Sequence, residues 1–177
     1  GLPKFLLTSP DRKFYYTFRQ GPVQFVVIDC GDDKPDAHWA YSGLNAFDTY
    51  RKREAQWLER LIQTPQWKSA PFRVAICHIP MQVSKPTDKH HRAWTTQFSK
   101  ILSKGKLDLH LAGHTHRYQY LPPAGKEQNF HTLIGGAPKL SQAVVFNAEA
   151  TETTLTVTAQ PGDTSRPPLK VLKLKKR

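Results

Sequence analysis

Three apolar segments separated by helix-like segments constrain the fold of this 177-residue chain most strongly. Val23–Asp29 contains a Phe-Val-Val-Ile run with no polar face, and Phe72–Ile79 and Leu107–Ala112 are the next two apolar segments. A strand that is apolar on both faces is typical of a sheet covered by helices. Apolar residues recur at helical spacing in the two intervening segments, Phe47–Gln63 and Trp94–Leu102. This order of elements predicts an α/β fold built on a mixed sheet.

Turn and capping signals place the ends of several elements. Tyr15–Arg19 has the composition of a strand, and Gln20–Pro22 is a turn signal, so the chain is expected to enter the sheet through a hairpin. Asn45 followed three residues later by Asp48 predicts a capping box at the start of the first helix. Gly105 is predicted to end the second helix.

The pattern changes after residue 129. Four short segments rich in Val, Thr, Leu or Lys follow: Leu133–Gly136, Ala143–Ala148, Thr153–Ala159 and Leu169–Leu174. Such segments are typical of antiparallel strands and predict a second sheet. We therefore expect an α/β part over residues 1–129 and a β meander with a basic tail over residues 130–177.

Composition excludes several classes of protein. No apolar run approaches the ~20 residues of a membrane-spanning helix. The chain has two cysteines, which is too few for a disulfide-rich scaffold, and no Cys-x-x-Cys motif. Cys30 and Cys77 lie at the end of one apolar strand and inside another, so both are predicted to be buried free thiols.

The charge of the chain leaves a binding role open. The formal net charge is +12, and the last twelve residues contain six basic side chains and no acidic one. A basic tail is usually a solvated chain end, and nucleic acid is not the favoured partner. The alternative function consistent with this charge is a non-catalytic basic module that binds anions or nucleic acid.

Three histidines directly follow two of the apolar strands. His78 lies in Cys-His-Ile-Pro, and His114 and His116 lie in Gly-His-Thr-His, which begins at Gly113. Binding sites in open α/β sheets form beyond the carboxyl ends of the strands. The three imidazoles are therefore expected at one edge of the sheet. Residues two apart in an extended chain point the same way, so His114 and His116 can approach one small volume together. If two metal ions lie ~3.5–4 Å apart, each of these imidazoles can serve a different ion. Gly113 is expected to allow a sharp backbone turn.

A single histidine at such a position is more often a hydrogen-bonded surface residue than a ligand. The joint placement of three favours a metal site. The motifs that carry them resemble those of calcineurin-like metallophosphoesterases, particularly the purple acid phosphatase-like branch. Gly113–Tyr118 resembles the last motif of that family, and Cys77–Pro80 resembles the motif before it. The resemblance extends in the right order over the hairpin Tyr15–Asp29, the helical segment Glu54–Leu58 and the glycine-bearing strand Leu133–Gly136.

The resemblance implies the C-terminal half of a four-layer α/β/β/α sandwich with a binuclear metal site. By this resemblance His78 and His114 bind one ion and His116 binds the other, with Zn, Mn or Fe as the metal. In the complete enzyme a metal-activated hydroxide attacks the phosphorus of a phosphomonoester or phosphodiester. Three further side chains are candidates for contact with the substrate phosphate: His90, His91 and Arg117. For these, a solvated loop position or a surface ion pair is the alternative.

The carboxylate-bearing motifs of the family are missing from their expected places. Asp36–His38 fits Asp-x-His but lies in a loop, and Gly31–Asp36 has the wrong spacing for Gly-Asp-x-x-Asp, so polar loop residues explain both. The catalytic residues that those motifs supply are therefore unknown here, and the expected partner is the N-terminal half of the same domain. Alone, the chain is expected to hold at most one metal ion weakly and to be inactive or nearly so.

Two further expectations follow from the resemblance. A half-domain exposes the edge and the face of a sheet, so the isolated chain is expected to dimerise or aggregate. The family resemblance also favours an extracytoplasmic location, either periplasmic or secreted.

Overall fold

A mixed sheet forms the centre of the molecule. The computed structural model describes residues 13–82, 91–137 and 139–177. Within these residues the sheet has six strands: β1 (Tyr16–Gln20), β2 (Val23–Ile28), β3 (Phe72–Cys77), β4 (Leu109–Ala112), β5 (Gln119–Leu121) and β6 (His131–Ile134). Their spatial order is β1-β2-β3-β4-β6-β5. The four inner strands run parallel, and β1 and β5 pair antiparallel at the two edges.

Helices cover one face of this sheet. They are α1 (Phe47–Leu61), α2 (Pro65–Lys68) and α3 (His91–Lys104), with short 3-10 helices at Trp39–Tyr41 and Leu140–Gln142. Leu58 of α1 and Phe98 of α3 share one buried apolar cluster with Val26 of β2. Burying a side chain of this size stabilises the fold by roughly 1.5–3 kcal/mol. The helical periodicity in the sequence therefore reflects real burial against the sheet.

A second sheet covers the opposite face. In the described part of the chain it has three antiparallel strands: β7 (Val144–Ala150), β8 (Thr154–Pro161) and β9 (Lys170–Lys175). Alternate residues of β8 are buried, and Leu155 and Val157 pack against Val74, Leu109 and Leu133 of the first sheet. The α/β class with a mixed sheet followed by antiparallel strands is confirmed.

One strand was assigned to the wrong sheet. The segment predicted at Leu133–Gly136 is strand β6, which pairs in parallel with β4 in the central sheet. The change from the first sheet to the second therefore falls after residue 134 and not after residue 129. Thr132, Leu133 and Ile134 are all buried, as in a strand covered on both faces, but a run this short does not distinguish the two sheets.

The first helix is capped from a distance and not by the predicted capping box. Its N-cap is Ala46, which makes no side-chain hydrogen bond. The Asp36 carboxylate instead accepts hydrogen bonds from the backbone amides of Phe47, at 2.7 Å, and Asp48, at 3.1 Å. A carboxylate at a helix N-terminus satisfies free amides and complements the helix dipole. Asp36 is therefore occupied by a structural role.

Gly105 directly follows the last residue of α3, and the absence of a side chain there allows close packing. The left-handed residue after α3 is Lys106, with φ 57°, and Leu107 N–H bonds to Leu102 C=O at 3.0 Å as in a Schellman ending. At Gly105 a Cβ would lie 2.5 Å from Ile62 Cγ2. The Trp67 indole also donates to the Gly105 carbonyl at 2.7 Å.

We predict that Gly105→Ala destabilises the fold by about 1–3 kcal/mol, because Ile62 and Trp67 leave no room for a methyl group. Lys106→Gly is the matched control, and it is expected to stabilise by less than about 1 kcal/mol by removing the left-handed strain. Urea denaturation of both variants measures the difference. Equal stability of Gly105→Ala and the wild type would contradict the packing argument.

Two sequence predictions about the chain as a whole can be compared with the fold. Cys30 and Cys77 are both free and buried, as expected. Among the described residues, no helix has the length and apolar character needed to cross a bilayer.

Candidate metal site

Two of the three predicted ligands meet at the carboxyl ends of adjacent strands. β3 and β4 are parallel neighbours, with Ile76 opposite Leu111. The pairing continues past the strand ends, because Gly113 N–H donates to the His78 carbonyl at 3.0 Å. The rings of His78 and His114 consequently lie 5.4 Å apart between centroids and nearly perpendicular, at 87°. The parallel register is what brings these two imidazoles together.

The Gly-His-Thr-His segment is not extended, contrary to the expectation from its sequence. His114 and His116 both have positive φ, 68° and 55°, in the left-handed region, whereas Gly113 is not among the positive-φ residues. The chain therefore turns at the histidines, and Thr115 N–H bonds to the Gly113 carbonyl at 2.7 Å. The argument that residues two apart point the same way does not apply to this segment. His116 is exposed.

The donors that the structure brings together are an adjacent pair of imidazoles. In the described ranges, no group of three His, Cys, Asp or Glu side chains is arranged to hold a metal ion. His78 is exposed and His114 is half-buried. Two adjacent imidazoles are suitable donors for Zn or Fe. Of the three predicted ligands, His78 and His114 form an adjacent pair. His116 follows His114 by two residues in the sequence.

A loop that carries no recognised ligand motif lies beside this pair. In the segment Gly31–Asp36, Asp33 Oδ2 is 3.9 Å from His114 Nε2. The other oxygen of the same carboxylate, Oδ1, accepts a hydrogen bond from Lys34 Nζ. This ion pair raises the pKa of Lys34. Sequence reasoning dismissed the segment for its spacing, and the only signal that pointed to it was its position after β2, the neighbour of β3.

A buried arginine fixes the course of this loop. Arg51 of α1 is 4% exposed. Its guanidinium donates to the carbonyls of Cys30, at 3.0 Å, Asp32, and Lys34, at 3.4 Å. It also forms a 3.1 Å ion pair with Asp48. A planar guanidinium can satisfy several acceptors at once, so one side chain holds three backbone carbonyls of the loop.

Three other acidic or imidazole side chains have structural roles. His38 Nδ1 accepts from Ala40 N–H at 3.2 Å and caps the short helix Trp39–Tyr41. Asp29 accepts from the Tyr50 hydroxyl at 2.8 Å. His110 is fully buried in β4, and desolvation lowers its pKa to about 3, so it is a neutral core residue.

The three candidates for phosphate contact remain predictions. His90 lies outside the described residues. His91 is the first residue of α3, and its side chain is also outside the description. Arg117 is exposed and directly follows His116.

Comparison with solved structures identifies the fold. A purple acid phosphatase from yellow lupin (Lupinus luteus) seeds superposes with a TM-score of 0.64 at 11% identity, covering 94% of this chain. The chain has a metallophosphoesterase-like fold. It spans about a third of that phosphatase, since the match covers 34% of the longer chain.

Other comparisons add little. Zinc-complexed Vps29 from Entamoeba histolytica matches at 19% identity and TM-score 0.28, covering 53% of this chain and 50% of its own. A conserved uncharacterized protein described as a predicted phosphoesterase, from Streptococcus pneumoniae, matches at 8% identity and TM-score 0.35, covering 86% and 97%. These superpositions are too loose to support an argument. No protein-family model and no curated protein matches the sequence.

Proposed function

We propose that this chain is the histidine-bearing part of a metallophosphoesterase-type hydrolase. The observation that carries the proposal is the perpendicular His78–His114 pair, 5.4 Å between ring centroids, at the ends of adjacent parallel strands. The proposal is also supported by the fold, which is similar to that of a purple acid phosphatase. Ligand sites in sheets of this kind form beyond the carboxyl ends of the strands, where the pair lies.

In this proposal His78 and His114 are ligands of one ion and His116 is a ligand of the other. A ligating imidazole must be neutral, so metal binding by these rings depends on pH. When bound, metal ions in such a centre polarise a phosphoryl oxygen and lower the pKa of water. The role of this chain is to fix the two rings at their mutual angle through the register of β3 and β4.

The proposed substrate is a phosphomonoester or phosphodiester, with Arg117 as the described candidate for contact with its phosphate. The carboxylates that the family resemblance calls for are not among the motifs of this sequence. Neutral imidazoles alone give little compensation for the charge of two cations. The chain is therefore proposed to hold at most one ion weakly, and to need the N-terminal half of the domain for turnover.

A Zn²⁺ titration of the full chain against a competing chelator tests the metal site. We expect one ion per chain, and in His78→Ala and His114→Ala a loss of affinity larger than the ~10–100-fold typical of outer-shell changes. His38→Ala is the matched control, because His38 is a partly exposed histidine with a capping role. Equal losses in all three variants, or no loss in any, would contradict the proposal.

Two further assays separate the alternatives. Manganese-supplemented phosphatase assays should detect no turnover by this chain above that of His114→Ala. Turnover that disappears in His114→Ala would mean that the chain carries a complete centre, against the proposed division of the site. Absence of metal binding together with nucleic-acid affinity that falls steeply with salt would favour the basic binding module instead.

A further inference from the structure

The carboxylate of Asp33 lies beside the histidine pair without belonging to any motif of the proposed centre. Its Oδ2 is 3.9 Å from His114 Nε2, and the two side chains are 32% and 35% exposed. This separation is about 1 Å longer than an N–H···O hydrogen bond. A torsional adjustment of either partly exposed side chain would bring the two atoms into hydrogen-bond range.

We propose that Asp33 is a positioning residue for His114: its carboxylate accepts a hydrogen bond from Nε2–H and so fixes the ring orientation and the tautomer. This inference rests on the proposed function. Metal-ligating histidines usually donate their second ring N–H to a carboxylate or carbonyl, which sets the tautomer and raises ligand basicity. With Nε2 directed at Asp33, Nδ1 is the nitrogen of His114 that this inference assigns to the cation.

The two oxygens of Asp33 have separate surroundings. Oδ1 is paired with the Lys34 ammonium, and Oδ2 is the oxygen that faces His114. The Lys34 contact restrains the carboxylate and leaves Oδ2 directed at the imidazole. This arrangement is what a carboxylate with an orienting role requires.

A buried arginine anchors the backbone of the loop that carries Asp33. Arg51 donates to the carbonyls of Asp32 and Lys34, the residues on either side of Asp33. Its guanidinium carbon lies 5.3 Å from the ring centroid of the buried Trp94 and 5.6 Å from that of Phe47, so the arginine is itself fixed by aromatic packing. The position of Asp33 is therefore determined by the core and not by a freely moving loop.

Zinc affinity of Asp33→Ala and Asp33→Asn tests the role. If Asp33 orients the His114 ring, Zn²⁺ affinity should be ~10–100-fold weaker in Asp33→Ala. Asp33→Asn should recover most of the lost affinity, because its amide oxygen can still accept a hydrogen bond from Nε2–H. Glu149→Gln, which removes one exposed negative charge from β7, controls for the change in net charge. Long-range ¹H–¹⁵N spectra of the metal-free chain, with the His114 signals assigned through His114→Ala, should show the Nε2–H tautomer in the wild type and a mixture in Asp33→Ala.

The outcomes separate this inference from the proposed function. Asp33→Ala with the affinity and tautomer of the Glu149→Gln control would overturn it, even if His114→Ala abolishes binding. Equal losses in Asp33→Ala and Asp33→Asn would also overturn it, because charge and not orientation would then be responsible. Zinc affinity unaffected by His114→Ala would instead refute the proposed function on which the inference depends.

Discussion

Arg51→Leu is expected to destabilise the protein by about 3–5 kcal/mol. The guanidinium is buried and serves the carbonyls of Cys30, Asp32 and Lys34. Leucine removes every one of these donors, and each acceptor that is left buried without a partner costs about 1–3 kcal/mol. Arg51→Lys should recover only part of the loss, because an ammonium cannot reach acceptors arranged around a planar fork.

Urea denaturation measures this effect directly. Arg53→Leu is the matched control, because Arg53 is exposed on the same helix and a surface substitution usually changes stability by less than about 0.5 kcal/mol. An Arg51→Leu variant within about 1 kcal/mol of Arg53→Leu would contradict the view that Arg51 holds the loop.

Glu54→Gln is expected to change the pH dependence of stability. Glu54 is fully buried on α1, and burial raises its pKa to about 9. Its Oε1 accepts from Asp29 N–H at 3.0 Å, while Oε2 has no hydrogen-bond partner among the described residues. The folded state therefore holds a proton that the unfolded state, with a carboxyl pKa near 4.5, releases. The stability that this proton contributes is full below about pH 4.5 and is lost as the pH rises through about 9.

Glutamine cannot ionise, so the stability of the Glu54→Gln variant relative to the wild type should increase with pH. We expect the difference in unfolding free energy between Glu54→Gln and the wild type to shift by about 4 kcal/mol in favour of glutamine between pH 5.5 and 8.5. Glu59→Gln, on the exposed face of the same helix, should show no such shift. A pH-independent difference for Glu54→Gln would mean that this carboxyl ionises normally in the fold.

The elements with a clear local pattern of apolar residues were predictable from sequence. The hairpin β1–β2, the helix α1 and the strands β3 and β4 follow from periodicity and turn signals that act within a few residues. The assignment of β6 failed because sheet membership depends on which strand pairs with it, and four residues carry no information about that partner. β5 was missed for a similar reason, since it is a three-residue edge strand.

The candidate site was predictable only where the parallel strands determine it. His78 and His114 meet because they follow neighbouring strands, which the general rule for open sheets anticipates. The left-handed backbone conformations of His114 and His116 had no signal in the sequence, because residues other than glycine seldom adopt them. The approach of Asp33 to His114 depends on the loop backbone and on its anchor Arg51, contacts between residues far apart in the chain.

The central claim is that His78 and His114 together hold one cation. Crystals of the chain soaked in Zn²⁺ and measured at the zinc absorption edge test it most directly. The account predicts one anomalous peak about 2.0–2.1 Å from a ring nitrogen of each histidine. A peak bound to only one of these rings, or zinc bound only elsewhere on the chain, would contradict it.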